Sequence, residues 1–125
     1  MGYYTFYSLE ARKVTDKEKF DSIVKALQDK ELLPTETNDP YSVFNVSEYY
    51  KDDSTAYFTA YDECKWYNYE KDMIDISKQF PDVVFQLSGD GEERDDMWLE
   101  YFKNGNYEKC PAQIIFPTPV EIEWN

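Results

Sequence analysis

Residues 3–9, YYTFYSL, alternate in polarity and are rich in aromatic, β-preferring side chains, so they predict a first strand. The period then changes. Phe20, Ile23, Val24 and Leu27 recur at i, i+3, i+4 and i+7, one apolar stripe of a helix over about 16–32. Thr15-Asp16-Lys17-Glu18 fits a capping box, in which the Thr15 side chain and Glu18 satisfy each other's backbone donors, and Pro34 limits the far end. Residues 34–54 are polar at both ends with an apolar middle at Tyr41, Val43, Phe44 and Val46, a long loop holding a short strand. AYFTAY at 56–61 is a second firm strand, and Trp66, Tyr69, Met73, Ile76 and Phe80 then return to helical spacing over about 64–80, stopped by Pro81. VVFQLS at 83–88 is a strand; GDGEERDD is an acidic turn; 97–103 is a strand; Asn104-Gly105 is a two-residue hairpin turn; and a last strand runs through Ile114 and Phe116.

Two helices covering one face of a mostly antiparallel sheet make an α+β two-layer sandwich, and the split βαβ arrangement of ferredoxin-like folds fits this order. The expected packing sets Phe20, Ile23, Val24, Leu27, Met73, Ile76 and Phe80 against Phe6, Phe58, Val84 and Phe85. At 125 residues the chain is read as a single domain over 1–116 with an extended tail over 117–125, docked only if Trp124 finds a pocket. The sheet face away from the helices either stands open as an interaction platform or is covered by residues 34–54.

Charge changes the picture more than any motif. Asp and Glu number 26 against 13 Lys and Arg, giving −13 with no histidine, so phosphate backbones and anionic membranes are repelled and a basic protein surface is the favoured partner. The missing histidine excludes serine triads, Cys-His nucleophiles and His-containing metal sites within this chain. The 42% hydrophobic fraction includes 12 Tyr, 8 Phe and 3 Trp, which sets the chain apart from disordered acidic tails. Cys64 and Cys110 read as free thiols, and the N-terminus lacks the apolar core of a signal peptide, so a cytoplasmic location in a host cell is expected.

The stretch from Trp66 to Tyr107 carries a resemblance. Its elements are Trp66, Tyr67 and Met73 on a helix; Phe80, Pro81 and Val83 entering a strand; Gly89, Gly91, Glu92 and Glu93 in a loop; Asp96 and Trp98; and the Asn104-Gly105 turn. In these it resembles small proteins of phages and other mobile elements, and is similar to YubB-type ferredoxin-like domains. The resemblance covers about a third of the chain and brings no catalytic residues; it implies a defence-system target, for example a CRISPR effector.

Between Asp82 and Glu100 stand seven carboxylates and one base. As a calcium loop counted from Asp90 the segment fails, because Arg94 takes a ligand position, Asp95 stands where glycine is required and Tyr101 replaces the closing glutamate. As a phosphate loop it fails on charge. Carboxylate pairs can do acid–base chemistry without histidine, yet no specific pair is legible. Tyrosines 49, 50, 57, 61, 67, 69, 101 and 107 interleave with acids, a pattern complementary to Lys and Arg rather than to a nucleic-acid backbone. The expected function is a non-catalytic inhibitor, anti-CRISPR or anti-defence, that occupies a basic nucleic-acid-binding groove of its target without cofactor or small-molecule substrate. Asp90, Glu92, Glu93, Asp95, Asp96, Tyr49 and Tyr50 are the partner-binding candidates. The rival readings are a phage structural or regulatory module without inhibitor activity and a metal-dependent enzyme using the 90–96 carboxylates.

Overall fold

The computed structural model describes residues 4–35, 42–91 and 96–111. The elements follow as β1 (Thr5–Arg12), α1 (Lys17–Asp29), β2 (Val46–Tyr50), β3 (Thr55–Thr59), α2 (Tyr69–Gln79), β4 (Val84–Gly91), β5 (Met97–Lys103) and β6 (Asn106–Pro111). The fold is α+β: two helices and a six-stranded antiparallel sheet of order β2-β3-β1-β4-β5-β6. Thus β3 lies between β1 and β2, and β1 between β3 and β4. The predicted last-strand positions Ile114 and Phe116, the 117–125 tail and Trp124 lie outside the described residues.

Alternation decides what each strand buries. Along β1, Thr5, Tyr7, Leu9 and Ala11 are buried, whereas Phe6, Ser8 and Glu10 are half-buried. Leu9 stands between Phe58 and Leu87, and Leu87 opposite Glu100, so these four share one side of the sheet, the core face. Phe6 and Val84 alternate onto the reverse face, which corrects the expectation that they pack under the helices. Tyr7, Val83 and Phe85 supply the core instead. From α1, Phe20 stacks on Tyr49 at 5.1 Å and on Phe58 at 6.1 Å; from α2, Tyr69 stacks on Trp98 at 5.0 Å. Ile23, Leu27, Met73 and Ile76 are fully buried as predicted, while Phe20, Val24 and Phe80 are only partly so.

The helix ends are set locally. Asp16, not Thr15, caps α1: its side chain accepts from the Lys19 backbone N–H at 2.7 Å. That shift moves Glu18 off the third helical position, so the reciprocal half of the capping box is not made. At the other end the Leu32 N–H donates to the Leu27 carbonyl at 2.8 Å and the Glu31 N–H to Gln28 at 2.9 Å, the paired bonds of a Schellman close. Glu31 takes the left-handed position at φ 61°, where glycine is usual. Lys30 then reaches across to α2, 3.2 Å from Asp75 and 3.9 Å from Asp72.

α2 begins at Tyr69, later than the predicted 64, because residues 64–68 are tied down separately. Thr5 and Cys64 exchange backbone hydrogen bonds at 2.9 and 3.0 Å, and the Trp66 indole donates to Asp72 at 2.8 Å. The segment between α1 and β2 does not cover the reverse face where it is described. Leu32, Leu33, Val43 and Phe44 are core residues, and the Phe44 ring lies 5.8 Å from Trp66. The Asn104-Gly105 turn has positive φ at both residues, 47° and 83°, as the hairpin reading requires. The Gly105 N–H donates at 2.9 Å to the buried Ser77 hydroxyl, which fixes the β5–β6 turn to α2.

Candidate functional site

The cross-strand register lays the reverse face out as rows running perpendicular to the strands. One row reads Val46, Thr59, Ser8, Ser88, Leu99 and Cys110 from β2 to β6. The next reads Glu48, Tyr57, Glu10, Gln86, Tyr101 and Glu108. A third, shorter row places Phe6 opposite Asp90 and Asp90 opposite Met97. The first row is low in the middle because Ser8 and Ser88 are small and bond to each other, Oγ to Oγ at 2.6 Å. Two hollows of about 290 and about 550 Å³ lie over it and share those two serines.

The second row is acidic and aromatic. Tyr50, 47% exposed, donates its hydroxyl to Glu48, and Tyr57 donates to Glu10; the two rings meet edge to face at 5.5 Å. Each hydrogen bond to a carboxylate favours the neutral phenol and holds both tyrosines above the usual phenol range. Arg12 donates to Glu10 at 3.0 Å and also to Gln86, so its charge is spent within the face. Among the described residues Asp90 and Glu108 make no ion pair.

Tyr49 and Tyr50 are neighbours on one strand and therefore point to opposite faces. Tyr49 goes to the core face, half-buried on Phe20, with its hydroxyl donating to the Val14 carbonyl at 3.0 Å. That contact holds Tyr49 on the core face, away from the reverse face that carries Tyr50. Asp90 is exposed on the reverse face; Asp96 is half-buried and its carbonyl accepts from the Gly91 N–H at 2.8 Å, closing the hairpin. Glu92, Glu93 and Asp95 lie outside the described residues. Glu10, Glu48, Tyr57 and Glu108 join the surface although sequence reasoning did not single out their acids. Their signal was the period-2 alternation, which groups them once the strand register is known.

A second cluster stands on the core face. The Tyr69 hydroxyl lies 3.2 Å from Glu100, 3.1 Å from Glu70 and 3.1 Å from the Lys109 ammonium. Lys109 also sits 4.8 Å above the Trp98 ring. Glu100 is fully buried and one of its oxygens has no hydrogen-bond partner. Burial foremost, with the neighbouring Glu70 charge, pushes the Glu100 carboxyl up, and burial likewise pushes the Tyr69 phenol well up. This is the carboxylate pair that the sequence alone did not reveal, two acids from α2 and β5 brought to one hydroxyl.

Both cysteines are free, as expected; Cys64 is half-buried and burial raises its thiol, whereas Cys110 is exposed. Among the described residues no group of three or more Cys, Asp or Glu is arranged to hold a metal ion, and no helix is long and apolar enough to cross a membrane. Comparison with protein-family models, with curated proteins and with solved structures gives no match to this chain.

Proposed function

We propose that this chain is a non-catalytic protein-binding module that docks by the reverse face of its sheet onto a basic, nucleic-acid-binding surface of another protein. The observation that carries this reading is the transverse row Glu48, Tyr57, Glu10, Gln86, Tyr101 and Glu108, in which three carboxylates on β2, β1 and β6 alternate with two tyrosines and a glutamine. Such a row offers Lys and Arg side chains both charge and ring faces, and it repels phosphate. Elsewhere, among the described residues, Lys17 pairs with Asp21, Lys19 with Asp82, Lys25 with Asp29 and Lys30 with α2.

The finer architecture in this reading is a two-layer, ferredoxin-like unit of the first four strands and both helices, extended by β5 and β6. Its support is the interleaving of β3 between β1 and β2 and of β1 between β3 and β4, together with Phe20 and Tyr69 stacking on residues of the same core face. The six-strand order departs from a four-strand βαββαβ sheet by the added meander. Resemblance to mobile-element proteins makes a defence-system nuclease, such as a CRISPR effector, the first target to try, with inhibition by occupying the groove where nucleic acid binds.

Displacement of labelled DNA or RNA from such a target tests the proposal. Wild type is expected to displace the nucleic acid and to associate more slowly as salt rises, and Glu48→Lys/Glu108→Lys is expected to associate at least about tenfold more slowly. Simultaneous occupancy of the target by nucleic acid and this chain, without loss of affinity for either, refutes the competitive mechanism.

A further inference from the structure

We propose that the trough across the reverse face is a docking groove for a Lys- and Arg-rich segment of a partner protein that carries one aliphatic or aromatic anchor, seated over Leu99 and Cys110. This rests on the protein-binding reading above and adds to it the place and chemistry of the contact. The trough is continuous because its two hollows, of about 290 and about 550 Å³, share Ser8 and Ser88. The hollows are lined from β3, β1, β4, β5 and β6, and with strands about 4.8 Å apart these five give a length of roughly 19 Å, enough for about five or six extended residues.

The two ends of the trough differ. Over β3 and β1 its wall is Tyr57 and Glu10, polar groups already bonded to neighbours. Toward β5 and β6 its lining is largely apolar, with Phe6 of β1, Met97, Leu99 and Pro111 around the exposed Cys110. Met97 is 48% exposed, apolar area that one buried side chain would remove from water. Asp90 lies on one side of this apolar end, and Glu108, two residues from Cys110 on the same strand face, lies on the other. Neither makes an ion pair among the described residues. An apolar pocket held between two carboxylates that make no ion pair with the described residues is complementary to an apolar side chain flanked by cations, and not to a polyanion.

The same charge argues against the other occupants. A second copy would bring Glu10, Glu48, Asp90 and Glu108 against their own equivalents, and a nucleic acid would bring phosphates. Among the described strand residues the cations on the face are Arg12, already bound to Glu10 and Gln86, and Lys103, at the far end of β5.

Backbone-amide NMR of the full chain, titrated with synthetic peptides, tests this. One probe is a Lys/Arg-rich peptide with a single central leucine, the second replaces that leucine by glycine, and a single-stranded oligonucleotide is the third. Expected shifts for the leucine peptide centre on Ser8, Ser88, Leu99 and Cys110, with affinity at least about tenfold above the glycine peptide. Cys110→Arg, at an exposed position on an edge strand, should remove that advantage while circular dichroism stays unchanged; Lys71→Ala, on the exposed side of α2, should keep it. Shifts confined to other surfaces, equal affinity for the two peptides, no shift with either, preferred binding of the oligonucleotide, or self-association through these residues overturns the groove. Salt-sensitive peptide binding elsewhere on the molecule removes the groove yet leaves the protein-binding reading standing, whereas a target that nucleic acid and this chain occupy together removes only the competitive mechanism.

Discussion

Burial of Glu100 between Leu87 and Lys109 leaves one carboxyl oxygen with no donor, so ionising it costs more than it does in water. The groups that face it are Glu70 and Tyr69 from α2 and Lys109 from β6; Glu70 adds to the upward push, and Tyr69 and Lys109 oppose it without reversing it. With the folded value above the unfolded 4.5, the native state keeps the proton longer than the unfolded one. Stability contributed by this group is therefore complete below the unfolded value and declines as pH rises toward the folded value. Glu100→Gln, neutral at every pH, should lack that decline, so its melting temperature relative to wild type should climb as pH rises from the unfolded 4.5 toward neutrality. A difference that stays flat across this range shows that Glu100 is not the titrating group. Tyr49 and Tyr50 make a related point, since adjacent side chains of equal chemistry end as a core ring and a surface ring through alternation alone.

At the level of elements, α1 shows which signals carried and which did not. Its stripe of Phe20, Ile23, Val24 and Leu27 was legible because a 3.6-residue period is a local property, and the core duly takes Ile23 and Leu27. Its ends were less so: Asp16 and Thr15 can both cap, and the Schellman close uses Glu31 in a conformation the residue type does not announce. A side chain with a Cβ in the left-handed region carries a cost that glycine avoids, offset by glycine's greater freedom when unfolded. Glu31→Gly should accordingly stabilise the chain by up to about 1 kcal/mol, read from urea midpoints at unchanged slope. A loss of stability there means that the Glu31 side chain contributes more than its backbone strain costs. Gly89 is the complementary case. A Cβ at this position would collide with the Trp98 indole across the strand pair, so the ring that stacks on Tyr69 needs glycine beside it.

Over the whole molecule, −13 of charge on a chain whose described core holds one acid, Glu100, means that the other acids of the described residues stand at the surface. Among the described residues no group of three or more Cys, Asp or Glu is placed to hold an ion. Excess EDTA should therefore leave the melting temperature unchanged to within about a degree. A fall of several degrees brings back the metal-dependent reading of the 90–96 carboxylates.

What the sequence determined by itself is what depends on near neighbours or on totals: two amphipathic helices, strands near 56–61 and 83–88, the left-handed Asn104-Gly105 turn, and the net acidity. Only the tertiary structure decided which side of each strand meets the helices. Alternation gives a strand two faces without saying which is inward, and at β1 the choice fell to Tyr7, Leu9 and Ala11, leaving Phe6, Ser8 and Glu10 outside. The trough is of the same kind. Ser8, Ser88, Leu99 and Cys110 come from four strands, and their separation in sequence hides an alignment that inter-strand hydrogen bonding alone imposes.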